Sequence, residues 1–343
     1  MSPSGKAEDR FIQRFFAPLA GDEAALGLHD DAAQIDVPAD QSLVVSTDTV
    51  MSGIHFFADD PAASIARKAL RVNVSDLVAK GCDPKGYFLS LALPETRLRS
   101  DDWMTDFSNA LAADQKTLGV QIMGGDTVMT DNVASITICA FGFVPAGKMV
   151  KRSTAKPGDR LYVTGTIGDS TLGLWARRAG LLADSELDAV EQQTLAKLTP
   201  PQRSQLELCY LEPPARVAAA SVLLRYASAS MDISDGLVGD AATLASASAI
   251  GLDINLHDIP HHPLIQPQLG ENDLRIRLIT GGDDYEILCT VPLESCDKFE
   301  AAMMQAGIPV SCIGQATKGD HVRVLDQQGQ ALPVDLASFD HFS

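Results

Sequence analysis

Apolar positions along the chain fall into short alternating runs and longer stretches with helical spacing, most of them closed by glycine, proline or aspartate. Behind a loose tail at residues 1–10, Phe11, Ile12, Phe15 and Phe16 lead toward Leu19 as an amphipathic helix. Asp31–Val37 and Ser42–Thr47 read as two strands around a Pro38-Ala39-Asp40 turn, with Asp48 where the second strand ends. A longer helix follows, with Asp60 as N-cap, Pro61 at its first position and Gly81 after its last turn. Ile65, Ala69, Val72 and Asp76 share one face of it, while Arg67, Lys68 and Arg71 lie elsewhere. Asp76 is thus a carboxylate on an apolar face and requires a hydrogen bond, an ion pair or a metal. Taken alone, a salt bridge to lysine or arginine is the simpler partner.

Gly86–Leu93, Val120–Met123 and Ser135–Val144 read as further strands. Pro145-Ala146-Gly147 and Lys156-Pro157-Gly158-Asp159 bracket a polar connector, which divides the chain into domains at 1–149 and 150–343. Beyond it, Arg160–Thr164 is a strand and Ser170–Arg178 a helix ended by Gly180. Residues 183–213 are charged and proline-punctuated and read as helical connections on the surface. A strand and helix surround Met231–Gly251. Strands at Leu252–Leu256 and Tyr285–Val291, a helix near Cys296–Ala306 and a last strand pair within Val310–Leu325 complete an α/β or α+β pattern with mixed sheets. At 343 residues the chain exceeds what one core usually supports, so two domains are the natural division.

Charge narrows the choice of partner. The net charge is −18, from 45 acidic and 27 basic residues, and no lysine- or arginine-rich stretch stands out, which disfavours nucleic acid. No apolar stretch approaches membrane-spanning length and the start has no apolar signal core, so a cytoplasmic protein without a membrane partner is expected. The six cysteines form no Cys-x-x-Cys pair and suit reduced core thiols better than disulfides or zinc.

Six short segments place carboxylates beside small or hydroxyl-bearing residues: Asp30-Asp31, Ser46-Thr47-Asp48, Ser75-Asp76, Gly124-Gly125-Asp126, Asp232-Ile233-Ser234-Asp235 and Gly281-Gly282-Asp283-Asp284. Their oxygens are hard ligands that suit magnesium, which proteins usually share with substrate phosphates. A Gly-Gly-Asp turn can expose N–H groups to phosphate and present a metal ligand, although such turns also simply end strands. Asp235 can equally be the N-cap of a helix starting near Gly236. A short echo links Ser75-Asp76-Leu77 to Ser234-Asp235-Gly236-Leu237 and Gly124-Gly125-Asp126 to Gly281-Gly282-Asp283, so two related halves remain open. No P-loop, dinucleotide fingerprint or calcium loop is present. Of seven histidines, only His55 closely follows an acidic motif.

The stretches Val45-Ser46-Thr47-Asp48-Thr49, Gly53-Ile54-His55-Phe56, Lys68 to Leu77, Gly124-Gly125-Asp126-Thr127, Asp232 to Leu237 and Asp284-Tyr285-Glu286 make the chain resemble the thiamine-monophosphate kinase family of the aminoimidazole ribonucleotide synthetase-like superfamily, essentially end to end. The resemblance implies a two-domain fold in which the N-terminal domain builds a β-barrel with its twin in a homodimer and a C-terminal α/β domain closes over the nucleotide. It implies ATP and thiamine monophosphate as substrates and several magnesium ions. By that resemblance Asp31, Ser46, Thr47, Asp48, Asp76, Asp126, Asp232 and Asp235 are magnesium ligands. Gly125, Asp126, Arg152 and Ser234 contact ATP, and His55, Asp283 and Leu336 contact thiamine monophosphate. No covalent nucleophile or general base is expected. Another ATP-dependent synthetase of the superfamily and a non-catalytic nucleotide- or magnesium-binding module are the alternatives.

Overall fold

The computed structural model describes residues 7–181, 186–270 and 272–334. They form two compact units, one from the described residues up to Leu77 with Cys82–Lys148, the other from Val78–Gly81 with the described residues from Met149 onward.

In the first unit, α1 (Ala7–Phe15) precedes β1 (Gln41–Met51), α2 (Ala62–Ala79), β2 (Asp83–Pro94), the short α3 (Glu95–Leu98), α4 (Asp101–Leu118), β3 (Gln121–Thr130) and β4 (Ser135–Pro145). The four strands make an open sheet in the order β1-β4-β2-β3, antiparallel except for the parallel pair β2 and β3. Alternation along the strands separates two faces. The inner face buries Val44, Val50, Tyr87, Leu89, Leu91, Ile136 and Ile138 on the side of α2. Arg71 of α2 holds Asp114 of α4 with two hydrogen bonds of 2.6 and 3.0 Å, tying the two helices together. Ser100 caps α4 by accepting the Trp103 N–H, and Gly119 ends it in the left-handed conformation.

The second unit adds β5 (Arg160–Thr164), α5 (Asp169–Leu181), α6 (Ala189–Ala196), α7 (Pro200–Leu211), α8 (Ala220–Tyr226), β6 (Ala229–Asp232), α9 (Leu237–Ser248), β7 (Gly251–Asn255), α10 (Asn272–Thr280), β8 (Ile287–Val291), α11 (Cys296–Gln305), β9 (Val310–Thr317), β10 (Val322–Leu325) and β11 (Ala331–Leu332). Its mixed sheet runs β11-β10-β7-β9-β5-β8-β6. One core joins this sheet to α9 through Leu161, Val163, Leu237, Leu244, Leu252 and Leu288. A second joins α5, α6, α7 and α10 through Leu172, Trp175, Leu195, Leu206 and Leu278.

Several expectations are corrected. Residues 31–37 form no strand; Ala33 and Ile35 instead pack against a cluster of Ala25, Met123 and Phe141. Neither Ser46-Thr47-Asp48 nor Gly124-Gly125-Asp126 lies at a strand end, because β1 continues to Met51 and β3 to Thr130. The segment around residues 187–211 is not a surface connection, since Leu187, Leu195, Leu198 and Leu206 are core residues. Lys68 is buried and donates to the His55 carbonyl at 2.8 Å. The strands β9 and β10 are not partners; β7 lies between them. The internal echo has no structural counterpart, for Ser75-Asp76 lies inside a helix and Ser234-Asp235 in a loop. No described helix is long and apolar enough to cross a membrane.

Candidate active site

Three groups of site residues form, two in the first unit and one in the second. The first lies where β1 meets α2. Even-numbered residues of β1 face the helix, so Ser46 and Asp48 point to the side on which Asp76 emerges. Ser46 Oγ donates to Asp76 Oδ2, and the Asp48 N–H donates to Asn73 Oδ1 at 2.8 Å. Asn73 is buried and steadied by its own bond to the Ala69 carbonyl at 3.0 Å. Among the described residues Asp76 is thus held by a hydroxyl, not by the lysine or arginine that an isolated carboxylate would favour. Thr47 lies on the opposite face, with its hydroxyl donating to the Ile138 carbonyl at 3.1 Å. His55 follows in the next loop, where Nδ1 accepts the Met51 N–H at 3.2 Å, so its ring is fixed with the hydrogen on Nε2.

The second group lies at the other edge of the same sheet. Asp30 and Asp31 border a cavity of about 500 Å³ together with Gly124, Gly125 and Asp126, over a wall of Phe16, Leu28 and Phe88. Register separates this group from the first. Asp48, Ile138, Leu89 and Gly125 stand in one row across the sheet, and Thr49, Thr137, Ser90 and Asp126 in the next. Asp126 therefore lies on the outer face, three strand spacings from β1, or about 14 Å. Within one chain Ser46, Asp48 and Asp76 come together and Asp126 does not join them. Gly125 has a packing role, because a Cβ there would lie 1.9 Å from the Leu89 carbonyl oxygen.

The third group joins two loops of the second unit. The chain leaving β6 and the chain entering β8 continue their ladder beyond the strands: Ile233 donates to the Glu286 carbonyl, Tyr285 to Ile233 and Asp283 to Ser234, each at 2.8 Å. Asp232, Ser234, Asp235 and Asp283 are brought together by these bonds. Asp235 is not the N-cap of α9; Gly236 occupies that position without a side-chain cap. Instead Asp240, one turn into the helix, accepts the N–H groups of Ser234 and Asp235 on one oxygen at 3.0 and 3.1 Å. Arg152 is exposed on a segment that runs beside β6, where Ser230 donates to the Lys151 carbonyl and Thr154 to that of Ser228. Leu336 lies outside the described residues.

Burial dominates the electrostatics of this third group. The Asp240 carboxyl is pushed up to about 7 by burial and by the charge of Asp235, against the N–H bonds it accepts. Burial also raises Asp284 well above the carboxylate range, against hydrogen bonds from the Gly168 and Ser170 N–H groups. Arg216 is lowered by burial but raised more by Glu286, which it grips with a 2.8 Å bond from Nε and a second bond from its terminal nitrogen. Among the described residues no group of three or more His, Cys, Asp or Glu side chains is arranged to hold a metal by itself. Hydroxyl, carboxylate and backbone oxygens form the donor set, which fits a hard cation completed by substrate oxygens and not zinc.

Residues 29–144 match the AIR synthase related protein, N-terminal domain, and residues 156–327 match the AIR synthase related protein, C-terminal domain. Thiamine-monophosphate kinase from Salmonella typhimurium is 34% identical over 338 residues, 98% of each chain. This chain belongs to the thiamine-monophosphate kinase family. The solved thiamine-monophosphate kinase from Stenotrophomonas maltophilia K279a is 32% identical with a TM-score of 0.79, over 97% of this chain and 99% of that one. AaThiL complexed with AMPPCP and TMP is 26% identical with a TM-score of 0.73, over 98% and 96%. The mixed α/β fold with two domains is that of the AIR synthase related proteins.

Sequence reasoning missed Asn73 and Asp240 and gave Asp284 and Glu286 no role. Asn73 had a weak signal, a polar residue one turn before Asp76 on a helix of apolar neighbours. Asp240 had another, an acidic residue in the first turn of a helix whose N-cap is glycine.

Proposed function

We propose that this protein is a thiamine-monophosphate kinase, which transfers the γ-phosphoryl group of ATP to thiamine monophosphate and gives thiamine diphosphate and ADP. The end-to-end likeness to thiamine-monophosphate kinases carries this reading. The acceptor is itself a phosphate with about −1.5 to −2 charges near neutral pH, so it needs no general base. Transfer is direct and in line, without a phosphoenzyme. Magnesium, when bound, neutralises the two polyanions and orients their oxygens. We assign its ligation to Asp31, Ser46, Thr47, Asp48, Asp76, Asp126, Asp232 and Asp235. Gly125, Asp126, Arg152 and Ser234 contact ATP, while His55, Asp283 and Leu336 contact thiamine monophosphate. Such an enzyme works in the cytoplasm, where both substrates are available.

The working form is a homodimer. The outer face of the four-stranded sheet exposes Leu43 (42%), Val45 (53%) and Val128 (48%), and both edges of the sheet are open. Pairing this face with its twin closes a barrel and covers those side chains. Asp126 lies on the same face, whereas Ser46, Asp48 and Asp76 lie on the face toward α2. The test is ADP release by the full chain with magnesium, with and without thiamine monophosphate. ADP should appear only with the acceptor and match the thiamine diphosphate formed. Release without the acceptor would point to another synthetase of the superfamily, and binding of ATP without turnover to a non-catalytic module.

A further inference from the structure

The approach to β8 holds two residues in the left-handed region that side chains rarely adopt, Asp283 at φ 70° and Tyr285 at φ 49°. Between them stands Asp284, 3% exposed, whose two oxygens accept the N–H groups of Gly168 at 2.7 Å and Ser170 at 3.1 Å. Those donors belong to the loop and first turn leading into α5, more than a hundred residues earlier in the chain. On the other side, Asp283 and Tyr285 donate to the Ser234 and Ile233 carbonyls. The loop is squeezed between these anchors. A Cβ on Gly281 would lie 1.9 Å from Thr171 Oγ1, and one on Gly282 would lie 2.4 Å from the Ser234 carbonyl oxygen.

We propose that Asp284 is a positioning residue for the acceptor substrate: its buried carboxyl group clamps the loop to the start of α5 and holds Asp283 in the orientation that meets thiamine monophosphate. The proposal rests on the reading that Asp283 contacts that substrate. Ladder bonds from Asp283 and Tyr285 fix the loop along one side only, and neither residue remains left-handed by preference. The clamp supplies the opposing constraint. With it in place, the Tyr285 hydroxyl stands 3.5 Å from Asp283 Oδ1, at the limit of a hydrogen bond, and limits how far that carboxylate can turn. Because Asp283 also bonds to Ser234, the acceptor contact and a proposed ATP contact share one backbone.

The experiment uses full-length enzyme carrying Asp283→Asn, Asp284→Asn or both, with KM measured separately for thiamine monophosphate and ATP. In Asp284→Asn an amide N–H faces an N–H donor, so the clamp loses one bond. Each single variant should raise KM for thiamine monophosphate about tenfold and change KM for ATP less than about twofold. The double variant should stay within about twofold of Asp283→Asn, because Asp284 acts only through that residue. Multiplying effects, or equal losses for both substrates, would overturn the proposal. If wild-type enzyme turns over thiamine monophosphate and Asp283→Asn does so equally well, the proposal fails while the kinase reading stands. Should Asp284→Asn not fold, Asp283→Gly supplies the check: glycine adopts φ 70° freely, so it should raise KM for the acceptor without lowering the melting temperature. A lower melting temperature would show that the loop stores no strain at Asp283.

Discussion

His261 is 2% exposed, with Nδ1 placed 2.8 Å from the Ile167 carbonyl oxygen. A carbonyl only accepts, so Nδ1 carries the hydrogen, and Nε2 is buried without a hydrogen-bond partner among the described residues. Burial pushes the ring down to about 4, assisted by Arg275 and opposed by the bond to Ile167. The folded protein therefore holds His261 neutral at pH values where the unfolded chain, titrating near 6.5, already binds a proton. Its contribution to stability is complete above pH 6.5 and is lost as the pH falls toward 4, at no more than about 1.4 kcal/mol per pH unit. His261→Asn can keep a donor for Ile167 but cannot titrate. The fall in melting temperature from pH 7 to pH 5 should be shallower in this variant than in the wild type, and parallel curves would exclude the assignment. Asp240 illustrates why such residues are hard to read in sequence. Its carboxylate works on backbone groups five and six positions earlier, which no side-chain motif reports.

At the scale of elements, the edge strand β3 depends on a glycine. Gly125 pairs with Leu89 beside a register shift between Tyr87 and Phe88, and its Cα hydrogen faces the Leu89 carbonyl. Gly125→Ala should force β3 away from β2, costing about 1–3 kcal/mol. Thermal unfolding would register this, and an unchanged midpoint would mean that the strands adjust freely. The same contact explains why Gly124-Gly125-Asp126 reads as a turn in sequence yet lies within a strand: the usual turn residues serve here to bring two backbones close. The boundaries of β5 were legible to the residue, because a compact apolar run stands between polar breakers. The alternation of residues 31–37 was also real, but Ala33 and Ile35 use it to cover an aromatic cluster instead of joining a ladder. Polar composition masked the core leucines of α6 and α7, which are spaced too widely to stand out. The acidic motifs stood out in the sequence, whereas their grouping did not, since it depends on strand order.

For the whole molecule, net charge of −18 and an open sheet with exposed valine and leucine act in opposite directions on self-association. In the homodimer proposed above, burial of this face has to outweigh diffuse repulsion, which physiological salt screens beyond about 8 Å. Light scattering at micromolar concentration should therefore give about twice the 36.5 kDa chain mass. A single-chain mass in an active sample would exclude the pair. Strand order places Asp76 and Asp126 on different faces of one sheet, and a genetic experiment distinguishes separate use of the two from a site shared between chains. Suppose one gene copy encodes Asp76→Asn and another encodes Asp126→Asn, each inactive alone. When a site draws its two aspartates from different chains, a mixed pair concentrates both lesions in one site and leaves the other intact. Two null alleles would then complement each other within the same cell, which sites contained in single chains could never do.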